Sequence, residues 1–171
     1  NLSLIDLHIS MIELHCHKSE LIMANPPLYR IIQTVNPAVS TGTITATTTN
    51  TLQGSLILVF VGCSALTDTV STITDNAGNI YLQAYAVATG SGGNTELWYE
   101  ANARPTTSVV VTFSAAVSTK SVFIREYGGI VKAVALDQTK TASGSGTAVS
   151  TAASASTRDA NELVVCNSSC L

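Results

Sequence analysis

Charge is scarce in this chain. Asp, Glu, Lys and Arg make up 11% of its 171 residues, against roughly 25% in an average soluble domain. Such a surface is solvated by Thr and Ser hydroxyls, which suits secreted and cell-surface modules better than crowded cytosolic enzymes. The net charge of -3 provides no basic field for a phosphate backbone, so a nucleic-acid partner is excluded. Aromatic residues are 5% of the chain, so a core drawn from its 46% hydrophobic content is built of Val, Ile, Leu and Ala. No run reaches the roughly 18 apolar residues of a transmembrane helix, so no membrane insertion is expected. Beyond His17 there is no histidine, which leaves a Ser or Cys nucleophile without an imidazole base, and no Gly-x-Ser-x-Gly elbow occurs. The glycines at 90–93 and 144–146 lack the Lys and the strand–helix setting of a phosphate loop. The four cysteines, Cys16, Cys63, Cys166 and Cys170, are scattered rather than spaced as a framework. In a strand Cys166 and Cys170 stand about 13 Å apart, beyond the ~7 Å Cα limit of a disulfide. They pair only if Asn167, Ser168 and Ser169 turn back, and the set does not reveal the redox compartment.

What is present divides at about residue 22. Residues 1–22 hold all three histidines and a helical spacing of Leu4, Leu7, Met11 and Leu14. They read as a non-domain leader, a short helix or a disordered arm. Asp6, His8 and Glu13 interrupt any signal-peptide core. His15, Cys16 and His17 are zinc-type ligands, but adjacent ligands seldom close a tetrahedral site and no further ligand follows at metal spacing. Residues 23–171 read as one domain with its core at about 35–165. The chain begins at Asn1 rather than Met and stops six residues after a strand at Leu163–Val165, so a sandwich truncated at the C-terminus is expected.

From Thr41 onward the pattern has a period of two. Ile44 and Ala46 alternate with Thr43, Thr45 and Thr47, and Val109, Val111 and Phe113 alternate with Val110 and Thr112. Residues 55–61 are apolar on both faces, as in a central strand covered from two sides. Gln53 and Gly54, the segment Asp75 to Asn79, the glycine-rich 90–94 loop, Arg104 and Pro105, and Gly128 and Gly129 punctuate the runs. Nine strands are expected, at 43–49, 55–61, 70–74, 80–88, 96–101, 108–113, 121–127, 147–154 and 163–165. Short strands so closely punctuated, with no intervening helices, predict an all-β antiparallel sandwich, immunoglobulin-like or jelly-roll.

Several phrases stand together: Asp75 to Tyr81, Glu96 to Tyr99 with Asn102, Val109 to Phe113, Glu126 to Ile130, and Asn161 to Val165. Their order resembles uncharacterised immunoglobulin-like β-sandwich modules of bacterial secreted and surface proteins, over about Val35 to Val165. The resemblance implies extracellular or cell-surface adhesion, scaffolding or carbohydrate contact within multi-domain chains. It brings no catalytic residues. The leader and the missing strands after Val165 depart from it.

Three sets of side chains merit attention. Glu96, Trp98 and Glu100 share one face of a strand, and Leu97, Tyr99 and Ala101 the other. Trp98 and Tyr99 with Glu96 or Glu100 make a candidate sugar platform, set against a Trp that fills the core with acids on the rim. As a glycosidase pair Glu96 and Glu100 fail, since about 13 Å of strand separates them and inverting enzymes need at most about 9.5 Å. Asp75, Asn76 and Asn79 offer hard oxygens suited to calcium, although turn chemistry explains the same residues. Glu126 points inward with Val122 and Ile124 and needs a partner such as Lys120, Lys132 or an Asn; a buried Lys, Asn and acid triad forming an intramolecular isopeptide link is the sharpest version. The sequence therefore predicts a non-catalytic extracellular structural or adhesion module. Its partners are other domains of a surface protein or a glycan. The alternative is a carbohydrate-binding module, such as an accessory domain of a polysaccharide-degrading enzyme.

Overall fold

Alternation in the sequence becomes alternation in space. Val109 and Val111 are fully buried, while the intervening Val110 and Thr112 are half-buried. A computed structural model describes residues 21–22, 29–35, 40–64, 67, 69–89, 93–130, 133–143, 150–151, 153–158 and 162–167. Among the described residues there are ten strands and no helix, so no helix long and apolar enough to cross a membrane. In chain order they are β1 (Leu21–Ile22), β2 (Tyr29–Val35), β3 (Thr41–Thr47), β4 (Ser55–Cys63), β5 (Val70–Asp75), β6 (Leu82–Thr89), β7 (Gly93–Ala103), β8 (Ser108–Val117), β9 (Lys120–Tyr127) and β10 (Val164–Val165).

The strands form a five-stranded sheet ordered β2-β9-β4-β7-β6, a three-stranded sheet ordered β3-β8-β5, and a small β1-β10 pair. Every pairing is antiparallel. The two larger sheets pack as a β-sandwich. Between them lie Ile57, Val59 and Val61 of β4, Val122 and Ile124 of β9, and Ile44, Ala46, Ile73, Val109, Val111 and Phe113 of the opposing sheet. Burying each such Val or Ile contributes about 1.5–3 kcal/mol.

The outer face of the five-stranded sheet is buried too. Leu56, Leu58, Phe60, Leu97 and Tyr127 form a second cluster, with Ile130, Leu163 and Val165 packed on it. Hence all nine residues of β4 are buried, as its two-faced apolar run predicts.

Four elements differ from the sequence expectation. The register of β2 against β9 shifts between Ile31 and Gln33, and the consecutive Ile31 and Ile32 break the period of two that would have revealed the strand. Leu21 and Ile22, expected in the leader, pair with Val165 and Val164. Residues 150, 151, 153 and 154 are exposed coil, not strand, because a run of Thr, Ala and Ser has no large apolar face to bury. Gly93 and Asn94, expected in a loop, begin β7.

Candidate functional site

The central residues of the predicted sugar platform face the inside of the sandwich. Val61 faces Glu96 and Val59 faces Trp98 across β4 and β7, so both side chains lie on the face that meets the second sheet. Glu96 is only 2% exposed. Its Oε1 accepts from the Val70 N–H at 2.7 Å and from Asn94 Nδ2 at 3.0 Å. Its Oε2 accepts from Gln83 Nε2 at 2.8 Å and from Trp98 Nε1 at 2.9 Å. Four neutral donors thus solvate a buried carboxylate, and the one from Val70 ties β5 of the small sheet to β7 of the large one. Trp98 is half-buried and packs against the sandwich core. Its N–H and its core contact are both engaged within the fold.

Two further charged groups serve the same purpose. Lys120 begins β9, where the chain has just left the small sheet, and is 1% exposed. Its Nζ donates to the carbonyls of Thr41 at 2.8 Å and Val117 at 2.6 Å, residues paired across β3 and β8, and lies 5.9 Å from the centroid of the Phe113 ring. Burial pulls its pKa below the ordinary lysine value. Glu126, also 1% exposed, points inward as its alternation predicts. Its Oε1 accepts from the Leu52 N–H and from Ser55 Oγ at 2.8 Å. Lys120 and Glu126 stand six residues apart on one strand, about 20 Å, so Glu126 is not the acid beside Lys120 that an isopeptide triad of the two would need. Lys132 lies outside the described residues, as do His15, Cys16, His17 and Cys170. Cys63 is buried and Cys166 exposed, and neither forms a disulfide.

The Asp75–Asn79 turn is a hydrogen-bond hub. Gly78 adopts φ 71°, the left-handed conformation that favours glycine. Asp75 Oδ1 accepts from the N–H groups of Ala77 and Asn79, both at 3.0 Å. Its Oδ2 accepts from Asn79 Nδ2 at 2.6 Å and from the Tyr81 hydroxyl at 3.0 Å. Burial opposes ionisation of Asp75, yet the bonds from Asn79, Tyr81 and Ala77 outweigh it and hold the carboxyl below its ordinary pKa. Tyr81 moves the other way: burial, then the Asp75 charge, raise its phenol well above the usual value. Asn76 Oδ1 accepts from Thr106 Oγ1 and from the N–H groups of Thr107 and Ser108 at 2.5, 3.0 and 3.2 Å. Asn79 Oδ1 accepts from the Arg104 N–H at 2.7 Å. The three residues proposed for calcium thus turn their oxygens to N–H and O–H donors, and they fasten the β5–β6 crossing to the β7–β8 crossing. Among the described residues no three His, Cys, Asp or Glu side chains group to hold a metal ion.

The other two platform residues fare differently. Tyr99 and Glu100 line a groove of about 360 Å³ where the start of β6 meets the end of β7 and the coil at 133–136. Ile80, Leu82, Ala101, Val134 and Leu136 contribute aliphatic walls, and Glu100 and Asn102 the polar groups. Ile80 is 74% exposed, Val134 54% and Leu82 53%, so this is apolar surface left in water. Glu100 is half-buried and accepts the N–H groups of Ile80 at 3.2 Å and Asn102 at 3.0 Å. Both bonds lie at the exposed edge, and a carboxylate has about four acceptor positions.

The structure therefore splits the predicted quartet: Glu96 is buried, Trp98 is half-buried against the sandwich core, Tyr99 is half-buried against the outer cluster and also lines the groove, and Glu100 lies at the surface opening. Sequence reasoning missed Gln83 and Asn94, the amides that hold Glu96. Gln83 lies opposite Trp98 only once β6 and β7 are paired, with an irregularity between Gln83 and Tyr85. It also missed the groove, since Ile80 and Leu82 read as ordinary strand residues and no local signal marks the 133–136 segment. Comparison of the chain with protein-family models, with curated proteins and with solved structures gives no match.

Proposed function

We propose that this chain is a non-catalytic structural and adhesion module of an extracellular or cell-surface protein, and that the groove beside Leu82 is its contact surface. The fate of its acids carries the reading. Glu96 and Glu126 are buried and hydrogen-bonded into the framework, which leaves neither within reach of a substrate. An apolar opening at the surface, by contrast, is what an interaction module needs. The low charge and the resemblance to immunoglobulin-like surface modules agree with this reading. Other domains of a larger surface protein are the natural partners.

A second reading shares the same groove. Tyr99 and Glu100, two of the four residues proposed for sugar contact, line it with Asn102. In that case an aromatic side chain and two polar groups receive a glycan.

Beads coated with the chain, washed over protein-coated and polysaccharide-coated surfaces, test both. Retention on protein supports the adhesion module, and retention on polysaccharide that Tyr99→Ala abolishes supports the glycan reading. Failure to be retained on either surface overturns both.

A further inference from the structure

We propose that the groove at the start of β6 receives a peptide segment presenting aliphatic side chains beside one Lys or Arg. This rests on the reading of the chain as a contact module.

The chemistry of the groove selects this occupant. Its walls are aliphatic, from Ile80, Leu82, Val134 and Leu136, and such walls favour aliphatic guests by removing apolar surface from water. Glu100 is the one charged residue lining the groove among the described residues. Two backbone N–H groups occupy part of its acceptor capacity, and the rest faces a half-exposed site. A cation is the complement of that carboxylate, and the chain's own charge of -3 disfavours anionic partners. The volume of about 360 Å³ lies at the small end of ligand sites, roughly 300–1,000 Å³. The site thus suits a few side chains of a peptide rather than a large rigid ligand. Apolar contact supplies the affinity, and Glu100 sets the orientation and the preference for Lys or Arg.

Panning of a phage-displayed random heptapeptide library on the intact chain tests the proposal. Enriched peptides are expected to carry at least two aliphatic residues and a Lys or Arg. A synthetic copy of the leading peptide is expected to lose at least tenfold in affinity on Leu82→Ser or Val134→Ser. Both residues are more than half exposed, so the variants keep the fold, which unchanged circular dichroism and melting confirm. Glu100→Gln is expected to remove the Lys or Arg preference and the salt dependence while keeping aliphatic selection. The proposal is overturned by absence of enrichment, by enriched peptides that are acidic or lack aliphatic residues, or by binding that these variants leave unchanged. If coated beads adhere to proteins while panning yields nothing, the peptide chemistry is wrong and the adhesion reading stands. If the beads adhere to nothing, the adhesion reading itself fails.

Discussion

Within seven residues β7 changes from framework to surface. At Glu96 and Trp98 the carboxylate has four donors and the indole is packed against the core. From Tyr99 to Asn102 the same strand opens into a groove whose aliphatic walls remain exposed and whose carboxylate holds only two backbone groups. Burial is what separates the two. A carboxylate withdrawn from water has to be re-solvated by the protein, so Glu96 collects side chains from β6 and β7 and a backbone N–H from β5. Glu100 is only half-buried and accepts two backbone N–H groups at an exposed edge. The chemically prominent acid of this chain is therefore a fold determinant, and the less conspicuous one lies where a partner can reach it.

Glu96→Gln attacks the framework side most directly. The amide brings an NH2 donor to a site that already supplies donors to both oxygens, so at least one pair of N–H groups meets without an acceptor. Loss of bonds to a charged group and of their complementarity is expected to cost about 3 kcal/mol, read as a lower urea midpoint with unchanged slope. A loss under ~1 kcal/mol would show that the Glu96 site relaxes freely and that the contrast with Glu100 is overstated. Asn76→Ala comes next. It removes the acceptor shared by Thr106, Thr107 and Ser108, at an expected cost of about 2 kcal/mol. In a domain of this size that lowers Tm by about 4–8 °C, measurable by calorimetry.

These two sites also show how far the sequence was readable. The sandwich followed from alternation and turn residues. Val109, Val111 and Phe113 revealed β8, and Gly78 at φ 71° marked the turn that Asp75 to Asn79 predict. Glu126 was placed inward by parity alone. Local pattern failed where geometry departs from a period of two. The consecutive Ile31 and Ile32, where the register shifts, concealed β2, and Asn94 was assigned to a loop by its neighbouring glycines. The four-residue sugar platform is divided in the structure for a different reason. Parity assigned Glu96 and Trp98 to one face but could not tell which face meets the second sheet. Nor could it show that the 133–136 coil comes to lie beside Leu82, a contact set by long-range packing.

The pH dependence of stability sharpens the contrast further. Asp75 has a folded pKa below its unfolded value of 3.8, so its contribution is present above that value and is lost as pH falls through the folded one. Tyr81 has a folded pKa raised above 10.0, so its contribution is present below that value and is lost as pH rises beyond it. Stability measured by urea unfolding is expected to decline at both ends. Asp75→Asn is expected to flatten the acid limb and Tyr81→Phe the alkaline limb. An acid limb unchanged in Asp75→Asn would place the responsible group elsewhere.

The smallest expected effect probes the other side of the comparison. Ile80 and Leu82 are apolar but lie largely in water, so exchanging either for Lys removes little buried surface and leaves no buried charge. Ile80→Lys retains the backbone N–H that Glu100 accepts, and the long lysine stem can cover the same wall with its ammonium in solvent. Both variants are expected to unfold within about 0.5 kcal/mol of wild type, as exposed positions usually do. The Glu96→Gln loss should be several times larger, although it exchanges only one oxygen for one nitrogen. If Leu82→Lys instead costs as much as Glu96→Gln, the groove is part of the core and its apolar walls stabilise the fold. Equal costs would erase the distinction between the two ends of β7, and with it the case for a contact surface there.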